Sequence, residues 1–446
     1  MSTETALLVD KKSEDKSTQC CHCLTKLRPS RFSISSILIL ATSFFSFMLL
    51  CASSSVISPF FPGVCLSKGI SITVSGLLFG VFELVNFIFS PFVVFISTKI
   101  GNKILFVGGL LISSVCWLLF AFLEYCPNGV LFAVLVIILR AVSAIGASIL
   151  FVAAFATLAS VFPDRLSTVN GVVETGLSIG YTLGPGIGGV LFDVGGFKLP
   201  LLTVGGLLLL LAFAAIVVIP SVSDDGHEKP VSFVSFLRIP LVVVIMLTFF
   251  IIGILEDTIC VVIEPFLLDK FEFSHSVIGL LLMIPFFSLS LCAILFGYLS
   301  DYMKWGAGIA FFGILCCALS MFLIDPPRLL IPVRFGLVTL IAGLILMGIG
   351  VSASMVPIYA LCLEEACRHG FEDNAATINL ISSTSNSATS FGLFMGPVVG
   401  GSLYEAIGMP KLILLYCGVL VLFSILFLAT YLFSRRKSSV DPAEPS

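Results

Sequence analysis

The chain has 446 residues, of which 58% are hydrophobic and 11% are charged, and its formal net charge is −3. Soluble domains carry about 25% charged residues, so this composition excludes an ordinary soluble enzyme, a nucleic-acid-binding protein and a disordered chain. At roughly 20 apolar residues per membrane-spanning helix, the sequence has room for about a dozen such helices. The lipid bilayer is therefore the predicted environment, and the small net charge indicates no particular partner.

Apolar stretches separated by proline, glycine and charged residues divide the chain into predicted membrane-spanning helices. Residues 1–32 form a polar arm, residues 33–220 hold six spans, residues 221–238 form a polar loop, residues 239–433 hold six more spans, and residues 434–446 form a tail. The predicted spans are, roughly, 34–56, 73–96, 103–123, 130–154, 168–192, 200–220, 240–263, 276–300, 307–325, 335–360, 377–402 and 411–433. The predicted fold is an all-α membrane protein with two six-helix halves.

The distribution of basic residues sets the predicted orientation of these spans. The arm, the central loop, the tail and the loops on their side hold 16 Lys and Arg residues, whereas the opposite loops hold six. Cytoplasmic loops carry the excess of Lys and Arg in membrane proteins. Both termini are therefore expected in the cytoplasm.

One sequence pattern, G-x-x-x-G-P-x-x-G-G, occurs in the fifth span as GYTLGPGIGG and in the eleventh span as GLFMGPVVGG. Glycines four residues apart let two helix backbones approach closely, and proline permits a kink. The repeat predicts two related halves, as in secondary transporters, with a conformational motif in each, although close packing alone would also account for it. Its residues are Gly180, Gly184, Pro185, Gly188, Gly189, Gly392, Gly396, Pro397, Gly400 and Gly401.

Ionisable side chains inside the spans each cost at least about 2.5–3.5 kcal/mol, so each one needs a reason. Arg140 is the deep base, and five acids lie within or at the ends of spans: Glu83, Glu174, Glu256, Asp257 and Glu264. Such a surplus of acids is tolerable when some are protonated or when a cation lies among them. These acids are therefore predicted to bind cations or protons.

Each of these charged residues also has a structural interpretation: Glu174 can bond to the neighbouring loop, and Glu256 and Asp257 can snorkel or pair outside the cavity. Arg140 is predicted to form an ion pair, for which Glu83 is the candidate partner. Asp257 and Glu264 are seven residues apart and share one helix face, whereas Glu256 need not face the same cavity. Glu264 precedes Pro265 near the end of the seventh span, where it is also interpretable as a solvated helix end.

The eleventh span carries a polar stripe, in which Asn379, Ser383, Asn386 and Ser390 are spaced four, three and four residues apart on one helix face. These residues are predicted to line a central cavity, and the alternative is hydrogen bonding between helices. The sequence predicts no cofactor, no metal and no enzyme activity, because it lacks a nucleotide-binding glycine loop and catalytic groups in the spans. The cluster Cys20, Cys21, His22 and Cys23 is interpreted as reduced or lipid-modified thiols, since one such cluster is a weak zinc signal.

Two six-span halves with this glycine–proline pattern resemble the major facilitator superfamily, in which the fifth-span pattern is associated with antiporters. A second signature of that family follows the second span, and here Thr98 stands where the family has an acid. The copy in the other half, Gly297 to Asp301, keeps the acid. The resemblance implies that Asp301 belongs to a gating loop.

The sequences around Glu83, Arg140, Glu174 and Glu264 resemble the vesicular amine transporter family, and most of all its polyamine-transporting branch. The run NGVVETGLSIGYTLGPGIGGVLFDVGGFKLP at 170–200 is the most specific part. The resemblance implies exchange of luminal protons for cytosolic amines such as spermine and spermidine, in a vesicle or another endomembrane. Monoamine and acetylcholine members carry an acid in the first span, which this chain lacks.

The expected partners are a small organic cation, protons and lipid, with no nucleic acid, and the expected state is a monomer. Two other functions stay open at this point. One is a proton-coupled exporter of drug-like or monoamine cations. The other is a membrane scaffold or sensor that does not transport, for which the altered signature at Thr98 leaves room.

Overall fold

The computed structural model describes residues 33–70, 72–220, 232–271, 275–325 and 336–440. The cysteine cluster at positions 20–23 and most of the predicted central loop therefore lie outside the described residues. Met1–Leu38 and Ile39–Ser446 form two units, and the packing discussed below belongs to the second.

Twelve long helices follow one another in the described residues, and each predicted span overlaps one of them. The first six are α1 (Ile34–Ser55), α2 (Ile72–Ile100), α3 (Asn102–Ala121), α4 (Val130–Val161), α5 (Leu166–Gly195) and α6 (Lys198–Val218). The second six are α7 (Pro240–Phe271), α8 (His275–Met303), α9 (Gly306–Ile324), α10 (Gly336–Met355), α11 (Ala375–Met395) and α12 (Met409–Val440).

Short elements connect or extend these helices. Helices Phe61–Ser67 and Phe233–Leu237 lie after α1 and before α7, helix Ile358–Arg368 continues α10, and helix Gly401–Ile407 continues α11 after a π-helical turn, Gly396–Gly400. Two 3₁₀ turns are Phe122–Tyr125 and Pro163–Arg165. The tightest connections use glycine at positive φ, as at Gly101 (φ 84°) between α2 and α3, because L side chains rarely adopt that conformation.

Eleven helices of the described chain are long and apolar enough to cross a membrane, and α11 is not among them. This helix packs against α2, α4 and α7. Every residue from Asn379 to Ser387 is buried, so neighbouring helices surround α11 on all sides over more than two turns. A helix enclosed in this way has no lipid-facing surface there, which is why a Ser- and Asn-rich sequence is tolerated.

The glycine–proline pattern packs one helix onto another within each half. A Cβ atom at Gly180 of α5 would lie 2.2 Å from the carbonyl oxygen of Met48 on α1, and one at Gly392 of α11 would lie 2.3 Å from the carbonyl oxygen of Phe250 on α7. Only glycine fits at such distances. Gly184, Gly188, Gly396 and Gly400 continue the two contacts, whereas a Cβ at Gly189 or Gly401 would meet nothing within 4 Å.

The two halves meet where α5 begins and α8 ends, and we call this end of the bundle the closed end. A Cβ at Gly171 of α5 would lie 2.3 Å from the carbonyl oxygen of Ala293 on α8, and one at Gly297 of α8 would lie 2.4 Å from that of Ser167 on α5. The backbones therefore touch without intervening side chains.

Asp301, the residue assigned from sequence to a gating loop, lies at this contact. Its carboxylate accepts hydrogen bonds from the backbone N–H of Ser167 (3.2 Å), and from the backbone N–H (2.7 Å) and hydroxyl (2.6 Å) of Thr168. The first N–H groups of a helix have no partner within the helix, and a carboxylate there also interacts favourably with the helix dipole. An acid from one half thus caps a helix of the other.

We expect Asp301→Ala to weaken the closed end by about 1–3 kcal/mol, because it removes a charged cap from α5. The measurement is hydrogen exchange of the first turn of α5, which should become faster. Asp164→Ala is the matched control, since Asp164 lies in the preceding turn and is exposed. Equal exchange rates in the two variants would contradict the assignment.

Candidate functional site

A cavity of about 1700 Å³ lies between the two halves. Helices α1, α2, α4 and α5 of the first half and α7, α8, α10 and α11 of the second contribute side chains to it. Its lining reaches Ile187 and Val190, near the end of α5, and both side chains are exposed. The cavity is therefore open at the end opposite Asp301, and it exceeds the roughly 300–1,000 Å³ of ordinary small-molecule pockets.

Four of the five predicted acids line this cavity: Glu83 from α2, Glu174 from α5, and Glu256 and Asp257 from α7. The side chain of Glu264 lies outside the described part of the structure. Glu256 and Asp257 both reach the cavity although they are consecutive, because the cavity is wide enough to span the angle of about 100° between them.

Electrostatic interactions join carboxyl groups of the two halves in two pairs, and Glu256 also interacts with its neighbour Asp257 on α7. Glu83 interacts electrostatically with Asp257, and Glu174 with Glu256. In each pair one member belongs to α2 or α5 and the other to α7. Like charges repel when both are ionised, so each pair needs a proton or a cation when the halves approach.

Arg140 lies beside this group of acids and is 4% exposed. Its guanidinium lies 5.3 Å, 5.6 Å and 6.0 Å from the ring centroids of Phe82, Phe79 and Trp117, and Nη2 donates to the carbonyl oxygen of Phe79 at 3.0 Å. Aromatic faces attract cations. Arg140 also interacts electrostatically with Glu83, but Arg140 Nε and Nη1 and Glu83 Oε2 have no hydrogen-bond partner among the described residues.

Asn86 forms the centre of a buried hydrogen-bond network next to Glu83. Its Nδ2 donates to the hydroxyl of Ser390 at 2.7 Å, and its Oδ1 accepts from Asn386 Nδ2 at 3.0 Å and from the hydroxyl of Ser148. The network joins α2, α4 and α11. Asn86 was not predicted from the sequence. Its spacing would have indicated it, because Glu83, Asn86 and Ser90 are three and four residues apart and share one helix face.

The polar stripe of α11 divides between two environments. Asn386 and Ser390 line the cavity. Asn379 and Ser383 lie instead in the contact between α2 and α11, where Asn379 Nδ2 donates to the hydroxyl of Ser97 at 3.0 Å and the carbonyl oxygen of Ser383 accepts from Ser90 at 2.9 Å. Hydrogen bonds between helices therefore involve the whole stripe, and Asn386 and Ser390 also line the cavity.

Stacked aromatic rings from both halves line another part of the cavity wall. Tyr359, on the helix that continues α10, stacks on Phe155 of α4 with ring centroids 4.8 Å apart and packs against Phe249 of α7 at 5.0 Å. Tyr181 of α5 stacks on Phe286 of α8 at 6.2 Å. Tyr181 was not predicted, although it lies inside the glycine–proline motif.

The hydroxyl of Tyr181 places a hydrogen-bonding group among the acids. It interacts with the thiol of Cys51 and lies within electrostatic range of Glu83 and Asp257. Pro185 and Pro397 of the two motifs also line the cavity. The motifs therefore border the site as well as packing helices within each half.

The Major Facilitator Superfamily profile matches residues 43–385 and 245–445 of this sequence. The chain therefore belongs to the major facilitator superfamily, as its sequence predicted. It is a multi-pass membrane protein with a small-molecule substrate and not an enzyme.

Two groups of relatives narrow this placement. The MFS-type transporter SLC18B1 of Mus musculus is 32% identical over 366 residues, which cover 79% of this chain and 77% of the relative, and that of Homo sapiens is also 32% identical over 366 residues with the same coverage. The synaptic vesicular amine transporter of Homo sapiens is 27% identical over 361 residues, covering 78% of this chain and 65% of the relative.

A solved structure shows the same fold. The crystal structure of the human organic anion transporter MFSD10 (TETRAN) matches with a TM-score of 0.70 over 88% of this chain and 99% of that chain. The two sequences are 17% identical, so the likeness concerns the fold alone.

Proposed function

We propose that this protein is a proton-coupled antiporter of organic cations, with polyamines such as spermine and spermidine as substrates, acting as a monomer in a vesicle or another endomembrane. The observation that carries the proposal is the charge of the cavity, where four carboxyl groups from both halves face one buried base. The similarity to SLC18B1 and to a vesicular amine transporter supports an amine as the substrate.

The two cross-half acid pairs suit a substrate with more than one ammonium group. One ammonium group binds between Glu83 and Asp257, and a second binds between Glu174 and Glu256. The methylene segments between the ammonium groups then contact apolar cavity residues such as Leu177 and Leu282. A cation with one charge neutralises one pair of carboxylates, and the two carboxylates of the other pair still repel each other.

Exchange follows because protons and ammonium groups compete for the same carboxylates. A protonated carboxyl group no longer attracts an ammonium group, so protons entering the open cavity release the substrate. Deprotonation on the other side restores the binding site. With both termini in the cytoplasm, the open end faces the lumen, and the described conformation is the one that releases substrate and takes up protons.

The test is uptake by proteoliposomes under an imposed pH gradient, with the interior acidic, comparing spermine, serotonin, acetylcholine and glutamate. We expect spermine uptake that stops when a protonophore collapses the gradient, and no glutamate uptake. Faster uptake of glutamate than of any cation would contradict the proposal. A drug-binding assay alone does not suffice, because binding without flux is what a sensor would show.

A second candidate function is export of drug-like or monoamine cations. The apolar part of the cavity wall favours it, since Leu183, Ile187 and Phe394 offer surface to a bulky hydrophobic cation. The serotonin arm of the same experiment separates the two candidates. Serotonin uptake that exceeds spermine uptake at equal concentrations would favour the second.

A further inference from the structure

Asp257 is the cavity acid that lies directly against the glycine–proline segment of α11. A Cβ atom at Gly396 would lie 2.9 Å from the Cβ of Asp257, 2.9 Å from the carbonyl oxygen of Ile254 and 3.0 Å from the backbone nitrogen of Thr258. Glycine at position 396 therefore allows α11 to approach Asp257 this closely.

Thr258, the residue after Asp257, is hydrogen-bonded to the same segment of α11. Thr258 is 1% exposed, its hydroxyl donates to the carbonyl oxygen of Gly396 at 3.0 Å, and it lies 2.8 Å from the hydroxyl of Tyr416 on α12. A threonine hydroxyl has a single hydrogen to donate. Tyr416 is therefore the donor to Thr258, and the chain of bonds runs from Tyr416 through Thr258 to Gly396.

The backbone of α11 changes form where this chain of bonds ends. Residues Gly396–Gly400 form a π-helical turn, a distortion that occurs often at functional sites. The turn brings Gly400 against Thr258 as well, since a Cβ there would lie 2.3 Å from the Thr258 hydroxyl oxygen. Both glycines of the turn thus contact the segment that carries Asp257.

The first half has a related contact without these features. Ser55 of α1 donates to the carbonyl oxygen of Gly180 at 3.3 Å, and α5 stays α-helical past Pro185. Ser55 and the neighbouring Ser54 both line the cavity, and neither carries a charge. The π-helical turn and the tyrosine hydrogen bond occur in the half where the neighbouring cavity residue is an acid.

We propose that Tyr416 is a positioning residue for cation recognition, which acts through Thr258 and the π-helical turn to hold Asp257 in the cavity. Tyr416 lies outside the cavity lining and does not touch substrate. Its hydroxyl holds Thr258 by a hydrogen bond, and Thr258 in turn holds α7 against Gly396. This contact sets the position of the Asp257 carboxyl group in the cavity. The inference rests on the proposed function, in which Asp257 binds an ammonium group.

The test compares Tyr416→Phe and Thr258→Val with Thr258→Ser, which keeps the hydroxyl. In spermine uptake we expect the first two to raise KM about three- to tenfold, the effect of one net hydrogen bond, with the maximal rate little changed. Thr258→Ser should restore the KM of the wild type. Tyr298→Phe is the control, because Tyr298 is exposed on α8 and stacks on Tyr302. An unchanged KM in Tyr416→Phe would overturn the proposal.

A second measurement does not depend on transport. Dicyclohexylcarbodiimide modifies carboxyl groups in apolar surroundings, and peptide mass spectrometry reads the rate of modification at each one. We expect the ratio of Asp257 to Glu83 modification to change at least about threefold in Tyr416→Phe, as for a displaced hydrogen-bonded group, and to stay constant in Tyr298→Phe. A constant ratio in both overturns the positioning role. Absence of spermine uptake in the wild type with a changed ratio overturns only the proposed substrate.

Discussion

Replacing Glu83 by Gln is expected to abolish spermine uptake driven by a proton gradient, lowering the initial rate at least about tenfold. Glutamine cannot accept a proton and carries no negative charge, so the Glu83–Asp257 pair loses both its cation site and its exchangeable proton. A hydrogen bond to a charged group contributes about 1.5–3 kcal/mol, which corresponds to about a 10- to 150-fold change. The measurement is uptake into proteoliposomes with an imposed gradient.

The matched control is Glu405→Gln, because Glu405 is an exposed acid on the short helix after the π-helical turn. Thermal unfolding and size-exclusion chromatography of both variants separate loss of function from loss of fold. Wild-type uptake by folded Glu83→Gln protein would refute the role assigned to Glu83.

Adding one methyl group at the closed end is expected to slow transport by a different mechanism, which is destabilisation of the conformation in which the two halves touch there. In Gly297→Ala the new Cβ would lie 2.4 Å from the carbonyl oxygen of Ser167, and in Gly171→Ala it would lie 2.3 Å from that of Ala293. Such overpacking costs about 1–3 kcal/mol per site, or about a 5- to 150-fold shift in population. The shift disfavours the conformation in which α5 and α8 touch.

Hydrogen exchange measured by mass spectrometry reports this shift in population. Amides at the start of α5 and the end of α8 should exchange faster in both variants, and uptake should fall in parallel. Gly206→Ala adds the same methyl group on α6, where nothing lies within 4 Å, and should leave both readings unchanged. Slow exchange in Gly297→Ala, equal to that of the control, would show that the closed end tolerates the side chain.

The sequence predicted the helices because lipid imposes a length and an apolar composition on each one, and because proline, glycine and charge mark the connections. It also predicted that the motifs at Gly180 and Gly392 are equivalent, since the spacing repeats. It did not predict their partners. Which helix approaches a glycine face depends on the arrangement of all twelve, and nothing in the local pattern names α1 or α7.

The same limit applies to the site. Intramembrane acids stand out by their energetic cost, so the four acids that line the cavity were all predicted from charge alone. Whether Glu256 shares the cavity stayed open, because helical geometry gives directions but not the width of a cavity. Tyr181 and Asn86 carry no charge and are common residue types, so only their neighbours in three dimensions distinguish them.

The polar composition of α11 has a consequence for how the protein is made. A segment rich in serine and asparagine gains little by entering lipid alone during synthesis, so α11 is expected to insert together with the more apolar α12 that follows it. Eleven helices in the described residues are long and apolar enough to span a membrane, and a topology built from those eleven alone would place the two chain ends on opposite sides. Reporter fusions truncated after α11 should therefore show mixed orientation, whereas fusions after α12 should show one.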